Sequence, residues 1–369
     1  MADMFRFADD LGPLKIIHVQ DVGIGLKAVL VIDNVAAGPS IGGLRMASDV
    51  TVEECFRLAR AMTLKNAAAG LRHGGGKSVI VGDPGMPKPD KERLIRAMAA
   101  ALRGEDMYIF GPDMGTNEEC MAWVHDEIGR AIGLPRELGG IPLDELGATG
   151  FGLAQAAEVA ADFDGFDLKG ARVAVQGFGS VGIHAARFLR ERGCVLVAAS
   201  DSKGAVFDAV GLDMEALATL KATGGSVIDG GATTGEREAV ITADCDILIP
   251  AARPDVIHED NVDDVKARLI LQGANIPATA DAERRLSERG ITNLPDFIAN
   301  AGGVICAAME YAGANQTTAF DTIKDKIRDN TLAVLEAAKA DGVALREAAV
   351  RLATERVRAA MSMRRWGSF

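Results

Sequence analysis

Two hydrophobic periods run through this chain and replace one another repeatedly. Ile16 to Val19 and Lys27 to Ile32 are rich in β-branched residues, with Gly23 and Gly25 between them, a pattern that predicts a hairpin. Gly38-Pro39 then breaks the pattern. Thr51-Val52-Glu53-Glu54 has the form of a capping box, and the spacing after it predicts a helix to about Ala69. A short strand over Ser78 to Val81 ends at Gly82-Asp83-Pro84. Lys91 to Leu102 reads as a helix, Met107 to Phe110 as a strand, and Gly111 to Gly115 as a loop before a helix capped by Thr116 or Asn117. Strands alternating with helices indicate an α/β fold.

A second unit begins near residue 145. A helix over 150–162 leads to a strand from Ala171 to Gln176, then to a glycine-rich turn, a helix to Gly193 and a strand from Cys194 to Ala199. Further apolar strands are expected at Asp246 to Ile249, Leu269 to Gln272 and Thr292 to Leu294, with helices between them, as in a doubly wound sheet. Thr318 to Met361 reads as two long helices broken at Asp341-Gly342. The expected boundaries are 1–144, 145–325 and 326–369. A chain of 369 residues accommodates two such domains and a large core.

Composition narrows the function. Aromatic residues are only 5% and the net charge is −12, so neither nucleic acid nor an anionic membrane surface is an expected partner. There is no apolar run of transmembrane length, and the opening MADMFRFADD does not have the form of a signal peptide. Five scattered cysteines without a CxxC pair read as buried small hydrophobes in a reducing cytoplasm, and five scattered histidines without an HExxH predict no metal site.

Candidate chemistry begins at Gly177-Phe178-Gly179-Ser180-Val181-Gly182, which stands between a predicted strand and a predicted helix. In that setting the first glycine permits the tight turn and the second lets a pyrophosphate approach the backbone. The third lets the helix pack on the sheet, and the helix N-terminus offers free N–H groups to the phosphates. Asp201 ends the next strand, roughly twenty residues on, where a carboxylate can hold the adenosine ribose hydroxyls and repel a 2′-phosphate. This favours NAD over NADP, although Lys203 stands close enough to pair with such a phosphate.

The other candidate cluster lies upstream. Lys65 sits late on the helix that opens at Val52, and Lys77 follows Gly74-Gly75-Gly76, whose bare backbone lets a substrate approach. Two lysines converging on one cleft, partly buried, would each have a lowered pKa, as a general base requires. A lone lysine is more often a solvated surface charge, and spacing alone does not identify the chemistry. Asp113, on the Gly-Pro-Asp-Met-Gly loop, is a carboxylate able to pair with a lysine or pass a proton.

The chain resembles the glutamate, leucine, phenylalanine and valine dehydrogenases. The resemblance is carried by GPSIGGLRM (38–46), MTLKNAAAGLRHGGGKSVI (62–80), GPDMGTNE (111–118) and ATGFG (148–152). It continues in VAVQGFGSVG (173–182), SDSKGAVFD (200–208), QGANIP (272–277) and PDFIANAGGVICAAMEY (295–311), in family order and over almost the whole length. It implies an N-terminal substrate-binding and oligomerisation domain, a Rossmann-type NAD-binding domain, and C-terminal helices packing back across to the first domain. It implies that Lys65 binds the substrate α-carboxylate beside Gly42 and Gly43, that Lys77 activates the attacking water, and that Asp113 relays protons. Thr149 and Asn275 would position the nicotinamide, and Asn300 with its loop would close over the substrate. The reaction would interconvert an L-amino acid with its 2-oxo acid and ammonia, in a homo-oligomer. Lys65, Lys77 and Asp113 together argue against two rival classes: a Rossmann oxidoreductase working without ammonia, and a non-catalytic nucleotide-sensing module.

Two positions depart from the glutamate-specific pattern. Ile41 stands where glutamate enzymes carry a lysine, and Ala307 where they carry a serine, three residues before Glu310. Those groups are the usual partners of the glutamate side-chain carboxylate. The departure favours a branched-chain or other apolar amino acid. The glutamate-dehydrogenase-like segment from 200 onward keeps glutamate as the alternative.

Overall fold

The computed structural model describes residues 5–230 and 233–364, which form two compact units. The first comprises the chain up to Pro142 with Val304–Ala319 and the residues from Leu352 on, and the second Leu143–Gly303 with Phe320–Arg351.

The first unit is built on a five-stranded sheet of β1 (Lys15–Asp21), β2 (Leu26–Asn34), β3 (Ser40–Ala47), β4 (Gly74–Val81) and β5 (Tyr108–Pro112), in the order β1-β2-β4-β3-β5. β1 and β2 form the expected hairpin, β2 and β4 are antiparallel, and β3 runs parallel to both β4 and β5. β2 has an apolar side chain for each face. Leu26, Leu30 and Ile32 join the core under α2 (Lys88–Ala101) and α3 (Glu118–Ile128), while Val29 and Val31 meet α1 (Val52–Ala68) through Cys55 and Ala59. α1 opens as expected, the Thr51 hydroxyl accepting from Glu54 N at 3.1 Å. Asn117 rather than Thr116 caps α3.

Two strand assignments in this unit are corrected. β3 was not expected at all, and β4 begins at Gly74 instead of Ser78. Glycine weakens a strand in general, but here backbones pass too closely for any side chain. A Cβ at position 42 would lie 1.8 Å from the Gly76 carbonyl oxygen, and one at position 75 would lie 2.0 Å from Thr63 N.

In the second unit, β6 (Arg172–Gln176), β7 (Val195–Ser200), β8 (Ala205–Phe207), β9 (Thr233–Gly235), β10 (Ile247–Pro250), β11 (Leu269–Leu271) and β12 (Thr292–Leu294) form a sheet in the order β12-β11-β10-β6-β7-β8-β9. The five strands from β12 to β7 are parallel, and an antiparallel pair, β8 and β9, extends one edge. Helices of this part of the chain are α4 (Leu143–Leu146), α5 (Ala148–Asp164), α6 (Ser180–Glu191), α7 (Met214–Ala222), α8 (Ala280–Glu288) and α9 (Asp296–Ala299). The order of β6 relative to β7 and β10 places the switch of winding direction at the C-terminal end of β6, where doubly wound sheets bind ligands.

Three helices close the chain: α10 (Gly302–Tyr311), α11 (Gln316–Asp341) and α12 (Leu345–Ser362), with the break at Gly342, whose φ is +65°. They divide between the units differently from the expected 145–325 and 326–369, and residues 365–369 of that last segment lie outside the described ones. Most of α10 belongs to the first unit, because Glu310 accepts from Leu134 N at 3.1 Å and Ile141 N at 2.8 Å. α11 from Phe320 on belongs to the second, through the Phe320–Phe151 ring contact and the Arg328–Glu158 ion pair. The end of α12 returns to the first unit, where Arg356 donates to Ala68 O at 2.6 Å and Arg358 pairs with Asp10. All five cysteines are buried, and burial pushes the thiols of Cys55, Cys245 and Cys306 up to about 12. No helix among the described residues is long and apolar enough to cross a membrane.

Candidate active site

In the first unit the parallel register of β3 between β4 and β5 brings Lys77, Gly43 and Asp113 together. Lys77 is 5% exposed, and its Nζ lies 3.0 Å from Asp113 Oδ2. A Cβ at position 43 would sit 2.7 Å from Asp113 Cβ and 3.1 Å from Lys77 Nζ, so the glycine keeps the space beside the ammonium clear. Burial lowers the Lys77 pKa. Asp113 opposes that shift and Arg45 adds to it, whereas the spacing had suggested a second lysine in that part. Burial would raise the Asp113 carboxyl, but Lys77 and Arg45 outweigh it and hold the pKa below the ordinary value.

Sequence reasoning missed the groups that hold this pair in place. Arg45 Nε donates to Asp113 Oδ2 at 2.7 Å, and its Nη1 to Glu54 at 2.5 Å. The Thr116 hydroxyl accepts from Asp113 N at 3.0 Å and donates to Leu44 O at 2.8 Å. The buried Tyr108 hydroxyl donates to Gly42 O at 2.7 Å. Arg45 and Thr116 do lie inside the family-like segments, which was the signal available. Lys65 is half-buried in the last turn of α1. Ile41 on β3 is 3% exposed and Ala307 on α10 is 6% exposed.

In the second unit the glycine motif lies between β6 and α6. Gly177 takes φ +93°, and a Cβ there would strike Ala252, while one at position 182 would lie 2.2 Å from Gly177 O. Position 179 faces open space, as close approach of a ligand to the backbone requires. Phe178 is buried in the core. Ser180 Oγ donates to Asp144 O, and Val181 is half-buried in the first turn of α6. A cavity of about 290 Å³ extends from Gly177 and Gly179 to Asp201, with Lys221, Arg237 and Arg253 along it. An open glycine, a helix N-terminus and this cavity fit a dinucleotide.

Asp201 does not have the freedom the sequence suggested. Its Oδ1 accepts from Lys203 N and Ser226 Oγ, both at 2.9 Å. Its Oδ2 accepts from Lys221 Nζ at 2.7 Å and Val227 N at 3.1 Å. Burial would raise this carboxyl, yet the Lys221 ammonium and the backbone N–H groups pull it down to about 2. Four internal donors occupy the lone pairs that a ribose would need. Asp201→Ala is therefore expected to cost about 1.5–3 kcal/mol of stability, the value of a charge-assisted hydrogen bond. The loss would be read as a lower Tm, and an unchanged Tm with a changed cofactor preference would return Asp201 to the ribose.

Asn275 is exposed on the loop after β11. Asn300, 4% exposed, sends its Nδ2 to Gly273 O, Ala274 O and Asn275 Oδ1, each at 3.3 Å. It thus faces that loop from within rather than lying open over a substrate. Thr149, in the first turn of α5, packs against the start of α10, where a Cβ at position 303 would lie 3.0 Å from its Oγ1.

The chain matches the Glu/Leu/Phe/Val dehydrogenase dimerisation domain over residues 15–130 and the Glutamate/Leucine/Phenylalanine/Valine dehydrogenase model over residues 139–365. It is 39% identical over 361 residues to the NADP(+)-dependent glutamate dehydrogenase of Pyrobaculum calidifontis, covering 90% of this chain and 85% of that one. To the NAD-specific glutamate dehydrogenase of Staphylococcus aureus it is 37% identical over 318 residues, covering 82% and 77%. Among solved structures, the hetero-hexameric glutamate dehydrogenase of Thermus thermophilus, in a Leu bound form, superposes with a TM-score of 0.84 at 30% identity, covering 95% of this chain and 90% of that one. The L-tryptophan dehydrogenase of Nostoc punctiforme gives 0.76 at 26% identity, covering 95% and 97%.

Proposed function

Because the chain belongs to the Glu/Leu/Phe/Val dehydrogenase family and is an amino-acid dehydrogenase, we propose that it oxidatively deaminates an L-amino acid with an apolar side chain, leucine or valine in type. The carrying observation is the pair Ile41 and Ala307, both buried, at the positions where the resemblance puts the lysine and serine that pair with a glutamate side chain. A glutamate carboxylate left unpaired among such groups loses its hydration without compensation. Glutamate is the second reading, and the names of the relatives at 37% and 39% identity favour it.

In this reading Lys65 holds the α-carboxylate. Lys77, whose burial favours the neutral amine, removes a proton from the water that attacks the imino acid. Asp113 rests ionised, so that it can take a proton from the amino nitrogen, becoming transiently neutral, and then return it. Nicotinamide, when bound, would supply the hydride acceptor for the substrate Cα. The N-terminal turn of α6 would hold its pyrophosphate, and Thr149 and Asn275 would orient its ring. The expected preference for NAD rested on a free Asp201. With that carboxylate neutralised by Lys221, and Arg237 and Arg253 along the same cavity, NADP is accepted beside NAD. Residues 15–130, matched as a dimerisation domain, support a homo-oligomer, and five buried unpaired thiols suit a reducing cytoplasm.

The test is kcat/KM for leucine, valine, phenylalanine and glutamate, each with NAD and with NADP. An apolar substrate is expected to lead, and both cofactors to turn over. Glutamate as the best of the four would overturn the substrate assignment.

A further inference from the structure

The loop after β11 is held in an unfavourable conformation. Ile276 has φ +50° and Asp255 has φ +53°, and these are the only non-glycine residues with positive φ among those described. They are bonded to each other, Asp255 N donating to Ile276 O at 3.0 Å. A β-branched residue in the left-handed region is strained and persists only where its surroundings over-determine it. Asn275 immediately precedes Ile276, so the conformation at Ile276 sets the backbone from which the Asn275 amide reaches out, its Oδ1 accepting from Asn300 Nδ2 at 3.3 Å.

The restraint traces to the last helix. Ile276 N donates to Asp296 Oδ2 at 3.0 Å, and Asp296 is buried. Its other oxygen accepts from Arg346 Nη2 at 3.0 Å, and the same nitrogen donates to Gln272 Oε1 at 2.9 Å. Arg346 Nε donates to Glu283 on α8 at 2.6 Å, and the guanidinium lies over the Phe297 ring. One planar cation thus joins both ends of the loop, Gln272 and Ile276, to α8 and to the first turn of α12. A lysine, with a single nitrogen, cannot reproduce these directions.

We propose that Arg346 is a positioning residue for the nicotinamide end of the cofactor: through Asp296 it keeps Ile276 left-handed and so aims Asn275. The proposal rests on the reading above in which Asn275 contacts the nicotinamide. Without the guanidinium, Asp296 and Gln272 lose a shared donor, Ile276 relaxes toward negative φ, and Asn275 moves off its target. Gly177–Gly182, Asp201 and Lys221 belong to other loops, and only the segment at Arg253, two residues from Asp255, joins that cavity to this loop, so the adenosine half of the cofactor is little affected.

The experiment compares NAD with ADP-ribose, which lacks the nicotinamide, by calorimetry on the full-length protein. Arg346→Gln is expected to weaken NAD about tenfold, about 1.4 kcal/mol, while ADP-ribose stays within about twofold and so also reports that the unit is folded. Arg346→Lys is expected to fall close to Arg346→Gln. Ile276→Gly in the Arg346→Gln background is expected to recover much of the loss, since glycine adopts positive φ without strain. Equal weakening of both ligands, no weakening of either, or no recovery with glycine would overturn the proposal. Asn275→Ala separates it from its premise. If that variant leaves NAD affinity unchanged, the nicotinamide assignment fails. If it weakens NAD and Arg346→Gln does not, the positioning role alone fails.

Discussion

Lys77→Ala is expected to lower kcat by about 10²–10⁴, the usual contribution of a positioned general base, with dinucleotide affinity unchanged. The affinity should hold because the glycine turn, α6 and the cavity at Asp201 belong to the second unit. The fold should hold as well, because Asp113 keeps its hydrogen bond to Arg45 when the ammonium is removed. The pH profile adds an independent check. A base works only when deprotonated, so wild-type kcat/KM should rise with pH as Lys77 loses its proton. Because burial lowers this lysine, the inflection should fall below the 10.5 of an ordinary one. The Asp113 carboxyl is held low, so its protonation should reduce activity only below the ordinary carboxylate range. Retention of more than a tenth of wild-type turnover in Lys77→Ala would place the base elsewhere. So would a wild-type inflection at or above 10.5.

What the sequence made legible is what local pattern controls. The hairpin of β1 and β2, the Thr51 cap of α1 and the strand-turn-helix around Gly177 depend on neighbours a few residues apart, and all three stand in the structure. β3 and the glycine start of β4 depend on each other. Ser40 pairs with Gly74 and Ile41 with Gly75, and neither segment carries a strand-forming run of its own there. Propensity gave way to a close approach that only tertiary structure specifies. The same distinction runs through the site. Lys77 and Asp113 stood out by the glycines and the loop around them, and the resemblance alone supplied their roles. That Arg45 holds Asp113 follows from the register of β3 against β5, which periodicity does not contain, whereas Thr116 meets Asp113 N within one loop, three residues away. Asp201 shows the opposite case. Its position at the end of β7 matched the motif, but two of its donors come from Ser226 and Val227 and a third from Lys221 on α7. No spacing rule reads a carboxylate's partners across such separations.

Ile41→Lys combined with Ala307→Ser is expected to move kcat/KM toward glutamate, relative to leucine, by on the order of a thousandfold or more. Wild-type Ile41 and Ala307 are both buried and offer hydrocarbon alone. A glutamate side chain placed against them would leave a desolvated carboxylate without a partner, a cost of at least several kcal/mol. Leucine gains there instead, at about 0.8 kcal/mol for each buried methylene. A substitute cation would undo this reasoning, and Arg45 and Arg72 lie in the same family-like segments, 38–46 and 62–80. Arg45 is committed to Asp113 and Glu54, and swinging it away would strip the carboxylate beside Lys77 of a partner. Arg72 is exposed. The double variant buries an ammonium that only the substrate can neutralise, so it should be less stable than wild type when free. Glutamate should then raise its Tm more than leucine does, because a ligand stabilises the folded state in proportion to its affinity. That thermal shift reports binding without depending on turnover. If glutamate already stabilises the wild-type protein more than leucine, the pocket is not apolar. If the double variant gains nothing from glutamate in either measurement, positions 41 and 307 do not face the substrate side chain.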